Sequence, residues 1–242
     1  AGGGVHEPEI VPDDRVVHAD PQLVVVDKPA GMPSVPARTP LDPPDVAARL
    51  AAAYGPLEAV HRLDRDTSGL LVLARTRAAR AALGRSFEQA RVTKRYLAIV
   101  SHPLPQTTGE IHLPLAADRD RPPRQRVDPV LGRRAATRWQ VRAAADVRPE
   151  QKLILVELIP LTGRSHQLRV HLAWLGCPIL GDRLYGPPDP RAAPLALHAA
   201  GIVFSHPATG QQFALAAAPP AAFPWNVFAG DVTAAWAGGP RP

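Results

Sequence analysis

Two carboxylates stand among arginines in the stretch from His61 to Arg75. Asp64 lies between Arg62 and Arg65, and Asp66 follows at once. Neighbouring cations favour the ionised form of a carboxylate, and that form serves as a nucleophile or a base. Because the surrounding positive charge also attracts polyanions, the stretch predicts a reactive Asp64 that meets a polyanionic substrate. A structural salt bridge on a loop is the alternative that this segment alone leaves open.

The four residues from Asp66 to Gly69 match the short signature of aspartic proteases. That chemistry needs two carboxylates that share one proton. The chain has no second copy of the signature, and charged residues precede it where an apolar strand is expected. Since Asp, Thr and Ser side chains favour turns, the four residues are better interpreted as a turn that leads into a strand over 70–74.

A second informative stretch extends from Leu161 to Leu172. Gly163 allows a tight turn, and Ser165 is a candidate cap for the helix that follows. Arg169 lies on a partly apolar helix and should have a carboxylate partner, because an unpaired buried charge is costly. Asp64 is the candidate partner.

The histidines and the cysteine do not predict a metal site. His166 and His171 are five residues apart, which is poor spacing for two zinc ligands on one helix, and Cys177 is the only cysteine. Both histidines are interpreted as hydrogen-bonded core residues or as phosphate contacts. The chain also has no phosphate-binding loop, dinucleotide fingerprint or nucleophile elbow. A single cysteine excludes a disulfide framework and favours a reducing cytosol.

Arginine carries nearly all of the positive charge. The formal net charge is +6, and lysine occurs only at positions 28, 94 and 152. A GC-rich genome, which favours arginine codons, is one explanation, and contact with RNA or DNA is the other, because guanidinium binds phosphate bidentately. The cations cluster over 62–95 and 119–142, which favours a nucleic-acid surface. No segment approaches the roughly 18 apolar residues of a membrane span.

Tyr96 is one of three tyrosines and stands beside Lys94 and Arg95. Packing within a strand is its default interpretation. Beside two cations, it is also placed to stack on a nucleic-acid base.

The apolar pattern predicts an α+β chain with a mixed, mainly antiparallel sheet, because most strands follow one another closely. Strands are expected over 23–26, 70–74, 95–100, 110–115, 137–142, 152–159, 195–205 and 211–216, and helices over 45–54, 76–90 and 165–175. Thr76 is a candidate helix cap. A basic loop or hairpin over 117–132 carries Arg124 and Arg126. We expect a flexible arm over 1–20, one domain over 21–228 and a tail over 229–242.

Four motifs resemble those of the RluA-type pseudouridine synthases, in the same order along the chain. They are the segments Lys28 to Pro36, His61 to Leu71, Thr162 to Leu172 and Leu197 to Pro207. Four ordered motifs are far more specific than one. Within the family, the chain most resembles the members that act on both large-subunit ribosomal RNA and transfer RNA. Like them, it is expected to lack an N-terminal S4 RNA-binding domain.

The resemblance implies the pseudouridine synthase fold, with helices that flank a basic RNA-binding cleft, and the isomerisation of uridine in structured RNA after base flipping. Asp64 would act on the ribose, by attack on C1′ or by removal of a proton. Tyr96 would stack on the target base, and Arg169 would hold Asp64. The implied RNA-binding residues are His61, Arg62, Arg164, Leu197, Arg124 and Arg126.

The resemblance implies no cofactor and no metal, and it implies a cytoplasmic monomer. The alternative is a catalytically inactive RNA-binding or ribosome-assembly protein of the same fold. Such a protein would have no need to keep Asp64, Tyr96 and Arg169 together.

Overall fold

The computed structural model describes residues 15–36, 44–149, 151–188 and 194–236. Its strands are β1 (Val16–Ala19), β2 (Leu23–Lys28), β3 (Glu58–Ala59), β4 (Ser68–Ala74), β5 (Thr93–Val100), β6 (Thr108–His112), β7 (Leu115–Ala117), β8 (Gln125–Val127), β9 (Ala136–Arg148), β10 (Gln151–Pro160), β11 (Leu197–Ser205) and β12 (Gln212–Ala216). Its helices are α1 (Val46–Tyr54), α2 (Arg77–Glu88), α3 (Gln167–Trp174) and α4 (Ala229–Trp236), and a 3₁₀ helix (Trp225–Phe228) precedes α4.

One large sheet organises the described residues. Its strand order is β1-β2-β4-β11-β5-β10-β9-β6, with β12 paired to β11 and β3 paired to β4. β4 and β11 run parallel, with Ser68 opposite His198, whereas the other pairings in this sheet are antiparallel. β7 and β8 form a separate hairpin, which confirms one of the two forms predicted for 117–132. The α+β class with a mixed, mainly antiparallel sheet is therefore confirmed.

The central strands contain long apolar runs because both faces of the sheet are covered. β4 is buried along its whole length. One face packs against α1, and its buried residues include Val24, Val26, Leu50, Leu71 and Leu73. The other face packs against α2, and its buried residues include Leu23, Val25, Leu70, Val72 and Leu83. Strands with two covered faces hold the segments at their ends in fixed positions.

Side-chain caps begin two of the helices. Asp45 accepts a hydrogen bond from the backbone N–H of Ala48 (2.8 Å) at the start of α1. Thr76 accepts one from Ala79 (3.1 Å) at the start of α2, which confirms the predicted cap. Each cap satisfies a backbone donor that the first turn of a helix leaves free.

The predicted cap at Ser165 is wrong. Helix α3 begins after His166, which has a left-handed backbone (φ 52°) and makes no side-chain cap. The preceding turn is closed by Gln167 instead, whose Oε1 accepts hydrogen bonds from Arg164 N (3.0 Å) and Thr162 Oγ1 (2.6 Å). Since the Gln167 amide already satisfies this turn, the Ser165 hydroxyl is left out of it.

Both ends of the domain extend further than the sequence predicts. Within the predicted arm, residues 1–14 lie outside the described residues, but β1 pairs with β2 as an edge strand. Within the predicted tail, α4 forms a helix, and Val232 is buried in the main core. The domain therefore includes elements on both sides of the expected limits.

Gly69 can be tested as the contact point between β4 and β11. Its φ is +108°, and a Cβ at this position would overlap the backbone of Ala199. We expect Gly69→Ala to lower the free energy of unfolding in urea by about 2–4 kcal/mol, because neither backbone can move far. Gly84→Ala in α2 is the matched control: its Cβ would meet open space, and we expect it to raise stability by about 0.5–1 kcal/mol. Equal effects of the two changes would contradict this account.

Candidate active site

A buried lysine fixes the segment that carries Asp64. The Nζ of Lys28 donates hydrogen bonds to the carbonyls of Pro29 (3.0 Å), Met32 (2.9 Å) and Arg65 (2.9 Å). The residue is fully buried. Burial lowers the pKa of Lys28 to about 8, although nearby carboxylates, including Asp64, oppose that shift. The ammonium therefore ties the loop after β2 to the loop before β4.

Further bonds join the same two loops. Ser34 Oγ donates to the carbonyl of Leu63 (2.9 Å) and accepts from its N–H (3.1 Å). Gly31 N donates to the Arg65 carbonyl (2.8 Å), and Arg65 Nε donates back to the Gly31 carbonyl (2.9 Å). Asp64 lies between Leu63 and Arg65, so its backbone is held on both sides.

Arg169 bridges two carboxylates. Its Nη1 donates to Asp64 Oδ2 at 3.0 Å, the partner that the sequence predicts, and its Nε and Nη2 donate to both oxygens of Asp182 at 2.8 Å. Side-chain exposure is 6% for Arg169, 0% for Asp182 and 20% for Asp64. Burial disfavours the charge of Arg169, but the bonds and charges of Asp182 and Asp64 raise its pKa above the ordinary value. Of the two carboxylates that Arg169 bonds, Asp64 is therefore the accessible one.

His166 and Tyr185 extend this arrangement. The Nε2 of His166 lies 3.8 Å from Asp64 Oδ1, and its Nδ1 lies 2.7 Å from the Tyr185 hydroxyl. That hydroxyl accepts a hydrogen bond from Gln125 N (2.7 Å), and the Arg169 guanidinium lies over the Tyr185 ring at 5.3 Å. Burial lowers the pKa of His166, which favours the neutral ring. The β7–β8 hairpin is thereby connected to the carboxylate site.

Asp64 faces a cavity of about 600 Å³. Most of the predicted site residues line it, although they are far apart in sequence. The lining includes His61, Arg62, Asp64, Tyr96, Arg164, Arg169 and Leu197. Asp64 precedes β4, Leu197 begins β11 and Tyr96 lies on β5, and these are three adjacent strands of the sheet. The strand order therefore brings these three side chains to one place.

The Tyr96 side chain forms part of the wall of this cavity. Burial raises the pKa of its hydroxyl above the ordinary value, and the charge of Asp64 raises it further. The hydroxyl therefore remains protonated at neutral pH and presents a donor and a flat ring rather than a phenolate.

The structure assigns His61 a packing contact in addition to its place in the cavity wall. Its ring stacks on Phe87 with centroids 4.6 Å apart, and its Nε2 accepts a hydrogen bond from Val72 N (3.0 Å). Burial lowers the pKa of His61 to about 3, with a further contribution from Lys94. The neutral ring therefore holds the loop against β4.

Arg124 and Arg126 do not line the cavity. Arg124 lies over the Tyr185 ring, with its guanidinium carbon 5.2 Å from the ring centre. Arg126 is half exposed and pairs with Asp128 at 2.9 Å. Arg164 does reach the cavity and also donates from Nε to the Arg134 carbonyl (3.1 Å).

Sequence reasoning missed several contacts of the site. Lys28 and Ser34 lie in the first family-like motif, but their spacing gives no sign that they bind the loop around Asp64. Asp182 falls in a segment that resembles the family, without a role that the sequence indicates. Tyr185 gives no signal at all, because its neighbours His166 and Arg169 come from another part of the chain.

His171 is a core residue, one of the two interpretations offered by the sequence. Its Nδ1 lies 2.9 Å from Thr137 Oγ1, and its Nε2 lies 3.0 Å from the Leu113 carbonyl. Over the described ranges, no three His, Cys, Asp or Glu side chains gather in a way that could hold a metal ion. Among those same residues, no helix has the length and apolar character to span a membrane.

Comparison with known proteins identifies the family. Residues 22–174 match the sequence pattern of the RNA pseudouridylate synthase family. The chain is 40% identical over 208 residues to the dual-specificity RNA pseudouridine synthase RluA of Haemophilus influenzae, covering 85% of this chain and 93% of that protein. It is 44% identical over 199 residues to the RluA of Escherichia coli K12, covering 81% and 88%.

Comparison with solved structures points to the same family as the comparison of sequences. Human RNA pseudouridylate synthase domain containing 1 superposes with a TM-score of 0.71 at 27% identity, covering 86% of this chain and 84% of that one. Human RNA pseudouridylate synthase domain containing 4 gives a TM-score of 0.68 at 28% identity, covering 86% and 89%. The fold and the site thus define an RNA-modifying isomerase, and the chain belongs to the RNA pseudouridylate synthase family. Among its relatives, it is similar to the dual-specificity enzymes called RluA.

The role of Asp182 can be measured as stability. Asp182→Asn removes the charge that pairs with buried Arg169, and losing one partner of a buried pair typically costs about 3–5 kcal/mol. We expect the free energy of unfolding in urea to fall by that order. The control is Asp146→Asn, an exposed carboxylate 3.8 Å from Lys152, for which we expect a change below about 0.5 kcal/mol. A similar small effect at Asp182 would show that Arg169 does not depend on it.

The buried ring of His198 predicts a pH dependence. It lies between Ser68 Oγ (2.9 Å) and the Ala217 carbonyl (3.0 Å), and burial lowers its pKa from 6.5 to about 4. Between these two values, the unfolded chain binds a proton at this ring that the folded chain does not. The contribution of the neutral ring to the free energy of unfolding is therefore complete above pH 6.5 and is lost as the pH falls towards 4. The loss is at most about 1.4 kcal/mol per pH unit.

Urea unfolding between pH 7.5 and 4.5 checks this expectation. His198→Asn should flatten the decline in the free energy of unfolding as the pH falls. His102→Asn, at an exposed position, should leave that decline unchanged. An identical slope for wild type and His198→Asn would rule out His198 as a source of the decline.

Proposed function

We propose that this protein isomerises specific uridines to pseudouridine in structured RNA, namely ribosomal RNA, transfer RNA or both. The observation that carries the proposal is Asp64 itself: a partly accessible carboxylate, held by buried Arg169, in a cavity whose wall includes further cations. Similarity to dual-specificity RNA pseudouridine synthases supports more than one class of RNA substrate.

The target nucleotide must leave its helix to reach Asp64. Enzymes that act on a base inside folded nucleic acid extrude the nucleotide into a pocket. Arg62 is exposed at the cavity and makes no ion pair among the described residues, so it is placed to enter the gap that the base leaves. Arg164 is placed to bind phosphate at the cavity, and Arg124 and Arg126 on the β7–β8 hairpin are placed to contact RNA beyond it.

The reaction exchanges one glycosidic bond for another. The N1–C1′ bond of uridine breaks, the base turns, and a C5–C1′ bond forms, after which the proton on C5 leaves. Asp64 takes part either as the nucleophile at C1′ or as the base that removes a ribose proton. The bonds broken and formed account for the whole reaction, which needs no oxidant, reductant or cofactor. Tyr96 and Leu197 are placed to hold the base between them, and the protonated Tyr96 hydroxyl suits a hydrogen-bond donor.

An inactive RNA-binding protein of the same fold is the second candidate. The geometry favours the enzyme, because binding alone does not require a partly exposed carboxylate that is fixed by a buried arginine and by two clamped loops. We place the protein in the cytoplasm as a monomer that acts on RNA without a bound metal.

The direct test uses RNA labelled with tritium at C5 of uridine. We expect wild-type protein to release tritium, and Asp64→Asn to reduce release by about a thousand-fold or more, as loss of a catalytic nucleophile does. Asp66→Asn, an exposed carboxylate in the same loop, should retain release within about ten-fold. RNA binding by Asp64→Asn should remain, which separates loss of chemistry from loss of folding.

Two results would contradict the proposal. Tight RNA binding by wild-type protein without any tritium release would favour the inactive alternative. Release that survives in Asp64→Asn would remove Asp64 from the reaction.

A further inference from the structure

Lys94 differs from the other two lysines of the chain. Lys28 is satisfied by three carbonyls at 2.9–3.0 Å, and Lys152 lies 3.8 Å from Asp146. Within the described ranges, Lys94 has neither a hydrogen-bond partner nor a carboxylate within ion-pair distance. The residue is nevertheless partly buried, and burial lowers the pKa of its ammonium. Withdrawing a cation from water without a partner is costly, so an external anion is the expected compensation.

The position of Lys94 shows where such an anion would lie. Lys94 is two residues before Tyr96 on β5, so both side chains point to the same face, and both line the cavity of Asp64. Its Nζ lies beside the turn before α3, 3.5 Å from where a Cβ on Gly163 would stand. The ammonium therefore lies beside this turn, at the wall of the cavity.

The charges around the cavity favour phosphate as the anion. Arg169 is already occupied by Asp64 and Asp182. Arg62 and Arg164 add positive charge to the lining, and Glu88 is the remaining carboxylate there. Lysine is a compact point charge that binds phosphate well, and a polynucleotide brings a phosphate with every residue that enters.

We propose that Lys94 binds a backbone phosphate of the RNA segment that enters the cavity, and that it thereby positions the target nucleotide over Asp64. This inference rests on the proposed function for the identity of the ligand. It assigns a phosphate subsite to a residue that the reaction itself does not use. The alternative source of negative charge is the uracil base after its detachment, and the experiment below separates the two.

The salt dependence of RNA binding measures the contact. All variants are made in the Asp64→Asn background, so that turnover does not enter, and the probe is an unmodified transfer RNA transcript. Each phosphate contact contributes about 0.7–0.9 to the slope of log Kd against log salt. We expect Lys94→Met to reduce the slope by about that amount and to weaken binding three- to ten-fold at moderate salt. Lys94→Arg should restore the slope, and Lys152→Met, the matched control, should leave it unchanged.

A second measurement uses unmutated protein and therefore does not depend on the folding of a variant. With three lysines in the chain, acetylation by an amine-reactive ester can be followed at each site by mass spectrometry. We expect the transcript to protect Lys94 but not Lys152, while buried Lys28 stays unmodified throughout. Equal acetylation of Lys94 with and without RNA would overturn the proposal.

The single-turnover rate at saturating RNA, measured with Asp64 intact, decides between phosphate and base. A Lys94→Met variant that keeps the salt slope but loses about a hundred-fold or more in rate would assign Lys94 to the base and overturn the phosphate subsite. Unchanged slope and unchanged rate would overturn any role in substrate binding. If tritium release is absent from wild type but the slope effect holds, the proposed enzyme fails and the phosphate subsite stands.

Discussion

The site depends on one buried arginine that is shared between two carboxylates. Arg169 donates to both oxygens of Asp182, which is fully buried, and its remaining Nη1 is directed at Asp64. A guanidinium fixed on one side by a bidentate pair has little freedom to turn. The position of Asp64 is therefore set by a largely buried residue in the wall of the same cavity. The single cation is balanced by two anions, only one of which is accessible.

A few contacts from one neighbouring segment hold the loop around Asp64. The segment after β2 supplies the Lys28 ammonium, the Ser34 hydroxyl and the Gly31 backbone, and all three bind the carbonyls or amides that flank Asp64. A loop whose backbone polar groups are satisfied by protein rather than water can lie at the edge of a buried core. A short connection into β4 follows, so Asp64 lies on a segment that is hydrogen-bonded on both sides.

Around this fixed centre, the charges divide into two groups. Arg65, Arg126 and Arg169 are engaged by carboxylates or carbonyls of the protein, and they shape the site. Arg62 and Lys94 lack such partners among the described residues and face the cavity. That division explains how a basic chain can use some of its cations for folding and others for a polyanion, which total charge alone does not reveal.

The sequence by itself determined the α+β class, the cap at Thr76, the strand that follows Asp64 and the pairing of Asp64 with Arg169. The first three inferences rest on local periodicity and on turn chemistry, which are properties of short segments. The pairing was inferred from the cost of an unpaired buried charge. The cap of α3 was wrong, because the Gln167 side chain closes the turn before that helix. The expected domain limits left out β1, which pairs with the adjacent strand β2, and α4, whose Val232 is buried in the main core.

Only the tertiary structure decided that Lys28 and Ser34 clamp the loop, that Asp182 stands behind Arg169 and that Tyr185 joins the hairpin to the site. The physical reason is that these hydrogen bonds and ion pairs form between groups that the fold brings together from separate segments. The segment after β2 meets the loop before β4, and Asp182 and Tyr185 meet α3 and the β7–β8 hairpin. That arrangement is not written in any one segment. For the same reason, the sequence showed Lys94 as one more cation beside Tyr96. The fold showed it partly buried, facing the cavity and without a partner among the described residues.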